Sequence, residues 1–128
     1  MSMRLCAALL ALCCPFAAAH HTASIFDQSQ RLELRGTVRQ FQWRNPHSYI
    51  QLVVEEADGR RVEWSLEMGA PMYLQQAGWK PSSLKPGDEI AVVVTPHRKL
   101  QADRPTALLI EATRADGSPV GRVAGVPK

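Results

Sequence analysis

The chain has 128 residues, with 15 Lys and Arg against 12 Asp and Glu, four His, and a formal charge of +3. That is room for one domain. The charges are interspersed along the chain, and no polybasic block is present to follow a nucleic-acid backbone or an anionic membrane. Apolar residues are unevenly spread: 16 of the first 19 are apolar, and all three cysteines (Cys6, Cys13 and Cys14) fall among them.

Residues 1–19 read as a secretory signal peptide. Arg4 supplies the positive start, Leu5 to Cys14 is an apolar run, Pro15 breaks it, and Ala17-Ala18-Ala19 offers a small-residue cleavage site. The stretch is shorter than the roughly 20 apolar residues a membrane span needs. A lipidated cysteine should follow a small residue, whereas Cys13 and Cys14 follow Leu12 and Cys13. The expected product is a periplasmic chain cut after Ala19, without a transmembrane anchor, beginning His20-His21-Thr22. It contains no cysteine, so disulfides and thiolate sites are excluded.

Residues 20–30 are polar apart from Ile25 and Phe26 and read as an N-terminal arm. From Arg31 the pattern alternates, with Leu32, Leu34 and Val38 on one face and Arg31, Glu33, Arg35 and Arg39 on the other. Phe41 and Trp43 then take the odd positions. Gly36 and a phase slip near Gln40 therefore predict a bulged or bent first strand, ended by Asn45-Pro46. The second strand spans 47–56, with Ile50, Leu52 and Val54 inward and His47, Tyr49 and Gln51 outward. Asp58-Gly59 predicts a hairpin into a third strand with Val62, Trp64 and Leu66 inward.

Pro71 and Gly78 bracket a short helix over 71–77. Lys85-Pro86-Gly87-Asp88 is a turn, Ile90 to Thr95 a fourth strand, 97–105 a loop, and Ala107 to Thr113 a fifth strand. His97, beside Arg98 and Lys99, reads as a surface residue. Val92, Val94 and Ile110 complete the predicted core with Leu34, Val38, Ile90 and the inward residues of strands two and three. This order predicts an all-β fold with one short helix, an OB-like five-stranded small barrel over 31–118. The open β-sandwich is the competing architecture. Residues 119–128 read as a flexible tail.

The chemistry on offer is histidine chemistry. A first-position histidine chelates through its α-amine and ring together, and that amine has a pKa of only about 7.7–8.0. A further ring nitrogen completes a nitrogen set suited to Cu(II). His20, His21 and His47 are the candidate metal ligands, and copper the candidate cofactor. His47 alternatively donates across the sheet to Glu67 or Glu63, or caps its turn. Trp43, Asn45, Tyr49 and Glu67 form the candidate surface for a small ligand or an envelope protein. The paired carboxylates read as a solvated sheet face. There is no G-x-S-x-G, no H-E-x-x-H and no phosphate-cradling glycine loop, so no catalytic machinery is visible.

His20-His21 with Phe26-Asp27, Gly36-Thr37-Val38, Phe41-x-Trp43, Asn45-Pro46-His47, Trp64-x-Leu66-Glu67, Gly78-Trp79 and Leu84-Lys85-Pro86-Gly87-Asp88 resemble a family of small exported bacterial proteins. That family is catalogued only as a domain of unknown function. The resemblance spans nearly all of the expected mature chain. It implies export to the periplasm and brings no activity, substrate or cofactor. The sequence thus points to an exported binding protein, a copper binder through its first histidine. A metal-free interaction module is the alternative, and a copper monooxygenase is disfavoured by the lack of an extended aromatic face.

Intact-mass measurement on protein recovered from the periplasm should show loss of residues 1–19. A retained Cys13 or Cys14 carrying lipid would overturn the expected cleavage.

Overall fold

Alternation in the first strand sets how the barrel is built. The computed structural model describes residues 25–122 and contains six strands and one helix: β1 (Leu32–Gln42), β2 (Tyr49–Glu55), β3 (Arg61–Glu67), α1 (Pro71–Gln76), β4 (Glu89–Pro96), β5 (Thr106–Arg114) and β6 (Pro119–Arg122). β1 pairs antiparallel with β4 from Leu32 to Thr37, then with β2 from Thr37 to Gln42. The change of partner occurs beside Gly36, where an added Cβ would lie 2.4 Å from the Val53 carbonyl oxygen. Two residues beyond Gly36 the register shifts between Val38 and Gln40, leaving Arg39 as the extra residue of a bulge. The predicted bend is therefore present, and its cause is a backbone approach that only glycine permits.

Antiparallel pairing of β2 with β3 and of β4 with β5 continues the sheet on both sides. Three parallel pairs, Ser65 with Thr106, Leu66 with Ala107 and Glu67 with Leu108, then join β3 to β5. The barrel closes in the order β1–β2–β3–β5–β4, the OB-like five-stranded arrangement, and closure pairs edges that would otherwise be open. Val38, Ile50, Leu52, Trp64, Leu66, Ile90, Val92 and Val94 are buried inside it; Leu34 and Val62 are half-buried against them. α1 is a short helix of six residues begun by Pro71, and its Leu74 is buried. Among the described residues no helix is long and apolar enough to cross a membrane.

Three expectations need correction. Ile110 is buried, but the main core takes Ala107, Leu109 and Ala112 from β5. A register shift opposite Val93 and Val94 leaves Ile110 unpaired between Leu109 and Glu111, so the inward phase skips it. Second, Pro119–Arg122 is a strand rather than tail: β6 lies antiparallel on β5, with Glu111 opposite Arg122 and Ala112 opposite Gly121. It is held because Trp79 is fully buried beneath Gly121, where a Cβ would stand 2.5 Å from the indole nitrogen. Residues 123–128 of the predicted tail lie outside the described residues. Third, His97 is half-buried. Its backbone bridges to Phe26 and the two rings meet edge-on at 6.0 Å, which fixes the arm to the end of β4.

Gly36→Ala should destabilise the fold by about 1–3 kcal/mol, because backbone rather than a flexible side chain must move. Urea unfolding checks this; an unchanged midpoint would show that the β1 crossing tolerates a side chain.

Candidate functional site

The turn from β1 to β2 is built around Ser48. Its side chain is fully buried and its hydroxyl makes long contacts of 3.4 Å with both the amide and the carbonyl of Arg44. Its backbone extends the β2–β3 ladder, receiving from the Met68 amide at 2.9 Å and donating to the Gly69 carbonyl at 3.1 Å. Arg44, Asn45, Pro46 and His47 are thereby looped out over the end of β3, with a cis bond between Asn45 and Pro46. The register places Tyr49 directly opposite Glu67. These six residues line a recess of about 430 Å³.

Glu67 organises the recess. One carboxylate oxygen is paired with His47 Nδ1, and the other accepts from the Tyr49 hydroxyl at 3.5 Å. Its side chain is 14% exposed and that of His47 is 34% exposed. A carboxylate only accepts, so Nδ1 is the donor in this pair and Nε2 is the ring nitrogen left for another partner. Nε2 has no protein partner among the described residues. Burial first, and the Glu67 charge second, push the Tyr49 phenol above its ordinary pKa of 10.0, against the opposing pull of Arg44. The Arg44 guanidinium lies 5.1 Å from the centre of the Tyr49 ring, a cation–π distance. The recess can therefore offer one imidazole ring held in place by a carboxylate, with donors from Arg44 and Asn45 around it.

Of the sequence-predicted residues, His47, Asn45, Tyr49 and Glu67 come together here. Trp43 does not: it is half-buried on the core, edge-on to Phe41 at 5.8 Å, and lines no part of the recess. It follows the bulge, which turns its ring toward the barrel's apolar side. His20 and His21 lie outside the described residues. Among the described residues no three His, Cys, Asp or Glu side chains are grouped to hold a metal ion. Arg44 was missed, because a charged residue beside a proline turn reads as solvated surface. Its contact with Tyr49 depends on the turn conformation.

Residues 8–104 match the Family of unknown function (DUF6152), a span that runs through β4 and the loop after it. No curated protein and no solved structure matches the chain.

In a Tyr73→Phe background Tyr49 is the chain's remaining tyrosine. There, Glu67→Gln should lower the Tyr49 pKa toward, though not to, its ordinary value, since the charge is removed and the burial kept. The sign for stability follows. A phenol raised in the folded state contributes fully below pH about 10 and is lost as pH rises through its folded value. Ultraviolet titration of phenolate formation checks this; an unmoved pKa would mean the carboxylate does not act on the phenol.

Proposed function

The chain belongs to this family of unknown function, and from its recess we propose that it is an exported periplasmic binding protein that takes Cu(II), using His47 together with His20 and His21 of the mature chain. The observation that carries the reading is the His47–Glu67 pair. A metal-binding histidine characteristically donates its other ring N–H to a carboxylate, which fixes the tautomer and raises the basicity of the ligating nitrogen. His47 has that arrangement, and it lines the recess.

One imidazole does not make a site. The donors that complete it are the α-amine and ring of His20, with His21 adjacent, and these exist as a chelate only if cleavage follows Ala19. Nitrogen donors of this kind favour copper over other divalent first-row metals. Bound copper would supply a Lewis-acidic, redox-active centre. This chain's residues would hold it: His20 through amine and ring, His47 through Nε2, and Glu67 by fixing the His47 ring. His97 takes no part, being committed to Phe26 and to the Lys99 amide at 2.9 Å.

The metal-free reading draws on the donors of Arg44 and Asn45 beside the Tyr49 ring, which suit a small polar ligand or a segment of an envelope protein. Copper titration separates the two. Adding one Gly ahead of His20 leaves every side chain unchanged but separates the amine from the ring. Affinity for Cu(II) should then fall at least tenfold, or about 1.4 kcal/mol. His47→Ala and Glu67→Gln should each weaken binding, the latter by about tenfold or more, and His97→Ala should not. Affinity should also drop from pH 8 toward pH 5, as donors must lose protons to bind. Equal affinity of native and Gly-extended proteins would reject the chelate and favour the metal-free module.

A further inference from the structure

At the other end of the β2–β3 ladder, far from the pair of Tyr49 and Glu67, β1 parts from β4 to join β2 and a second cleft opens. Its volume is about 480 Å³, within the range of small-molecule sites. Gly36 lines it, and so do arginines from three strands: Arg35 from β1, Arg61 from β3 and Arg114 from β5. We propose that this cleft binds the anionic head of a small organic phosphate through Arg35, Arg61 and Arg114.

The charges are arranged without being consumed. Glu55 stands opposite Arg61 in the β2–β3 register, and Glu89 lies beside Arg35 across the β1–β4 ladder. Yet the side chains of Arg35 and Arg61 make no ion pair or hydrogen bond among the described residues, and neither do those of the two glutamates. Ion pairs form elsewhere, as between Arg39 and Glu63, His47 and Glu67, and Arg60 and Asp58. Arg114 is oriented instead by donating from Nη2 to the Ser83 carbonyl at 3.1 Å. That bond uses one guanidinium nitrogen and ties the group to the segment between α1 and β4. The remaining N–H groups of the three arginines would offer a phosphate planar, forked donors, which a lysine cannot reproduce.

The cleft exceeds what a free phosphate fills, so the rest of the ligand has room against Thr37, Val53 and Ala91. Glu55 and Glu89 set the selectivity. They repel a second negative charge at the rim and favour hydroxyl or amine groups on the body of the ligand. This inference does not depend on the copper reading, because no residue is shared between the two sites.

Calorimetric titration of the exported chain with glycerol 3-phosphate and with inorganic phosphate tests it, alongside co-sedimentation with phosphatidylglycerol vesicles. Glycerol 3-phosphate should bind more tightly than phosphate, and the double variant Arg35→Gln, Arg61→Gln should lose at least tenfold in affinity. Glu55→Gln should tighten binding several-fold, an effect of opposite sign that general loss of structure cannot mimic. Arg39→Gln, which removes a guanidinium paired elsewhere, should leave affinity unchanged. Vesicle binding lost in the double variant, without binding of the soluble phosphates, would overturn the small-molecule assignment in favour of a lipid headgroup. Absence of binding to all three probes, or equal loss in Arg39→Gln, would overturn the site.

Discussion

One strand serving two ladders is the constraint on which the rest of this molecule depends. β1 can pair with β4 and then with β2 because its backbone passes within contact of Val53 at a position with no side chain. A barrel of this size has few hydrophobic layers, and without closure β3 and the first half of β5, ahead of its pairing with β6, would each keep an unpaired edge. The crossing lets the sheet curl until those edges meet through the pairs from Ser65–Thr106 to Glu67–Leu108. The bulge at Arg39 then changes which residues of β1 face inward, carrying Phe41 and Trp43 onto the core.

Both clefts follow from that geometry. Beyond the bulge, β1 delivers the Arg44–His47 turn to the end of β3, where Glu67 meets the His47 ring. Before the bulge, its departure from β4 leaves the arginine-lined opening. The two ends differ in how their charges are spent. Near His47 the carboxylate is half-buried and engaged by two side chains, which fixes an imidazole. Near Arg35 the carboxylates of Glu55 and Glu89 and the side chains of Arg35 and Arg61 are exposed, and none of them is tied up in an ion pair among the described residues. One end is suited to holding a single nitrogen donor in place, the other to receiving an anion.

Much of this was legible in the residues. Ile50, Leu52 and Val54, and Val62, Trp64 and Leu66, alternate without interruption, so period two states their phase directly. The slip from Val38 to Phe41 moves large apolar residues from even to odd positions, and a bulge is the economical way to do that. In Leu108-Leu109-Ile110 three successive apolar residues leave period two without a phase. The choice of Leu109 is made by the register shift opposite Val93 and Val94. Pro119-Val120-Gly121-Arg122 carries no strand pattern at all. It becomes β6 because Val120 packs on the core and Gly121 fits over Trp79, both tertiary facts. At the site, the outward phase of β3 made Glu67 available to His47, whereas the placing of Arg44 over Tyr49 required the turn itself.

The central functional claim is that a ring held by Glu67 donates to copper. Pulsed electron paramagnetic resonance on the Cu(II)-loaded exported chain, with its histidines labelled with nitrogen-15, counts the imidazoles at the metal. The account predicts that His47→Ala removes the coupling of one imidazole while His97→Ala removes none. Identical spectra for native protein and His47→Ala would contradict it.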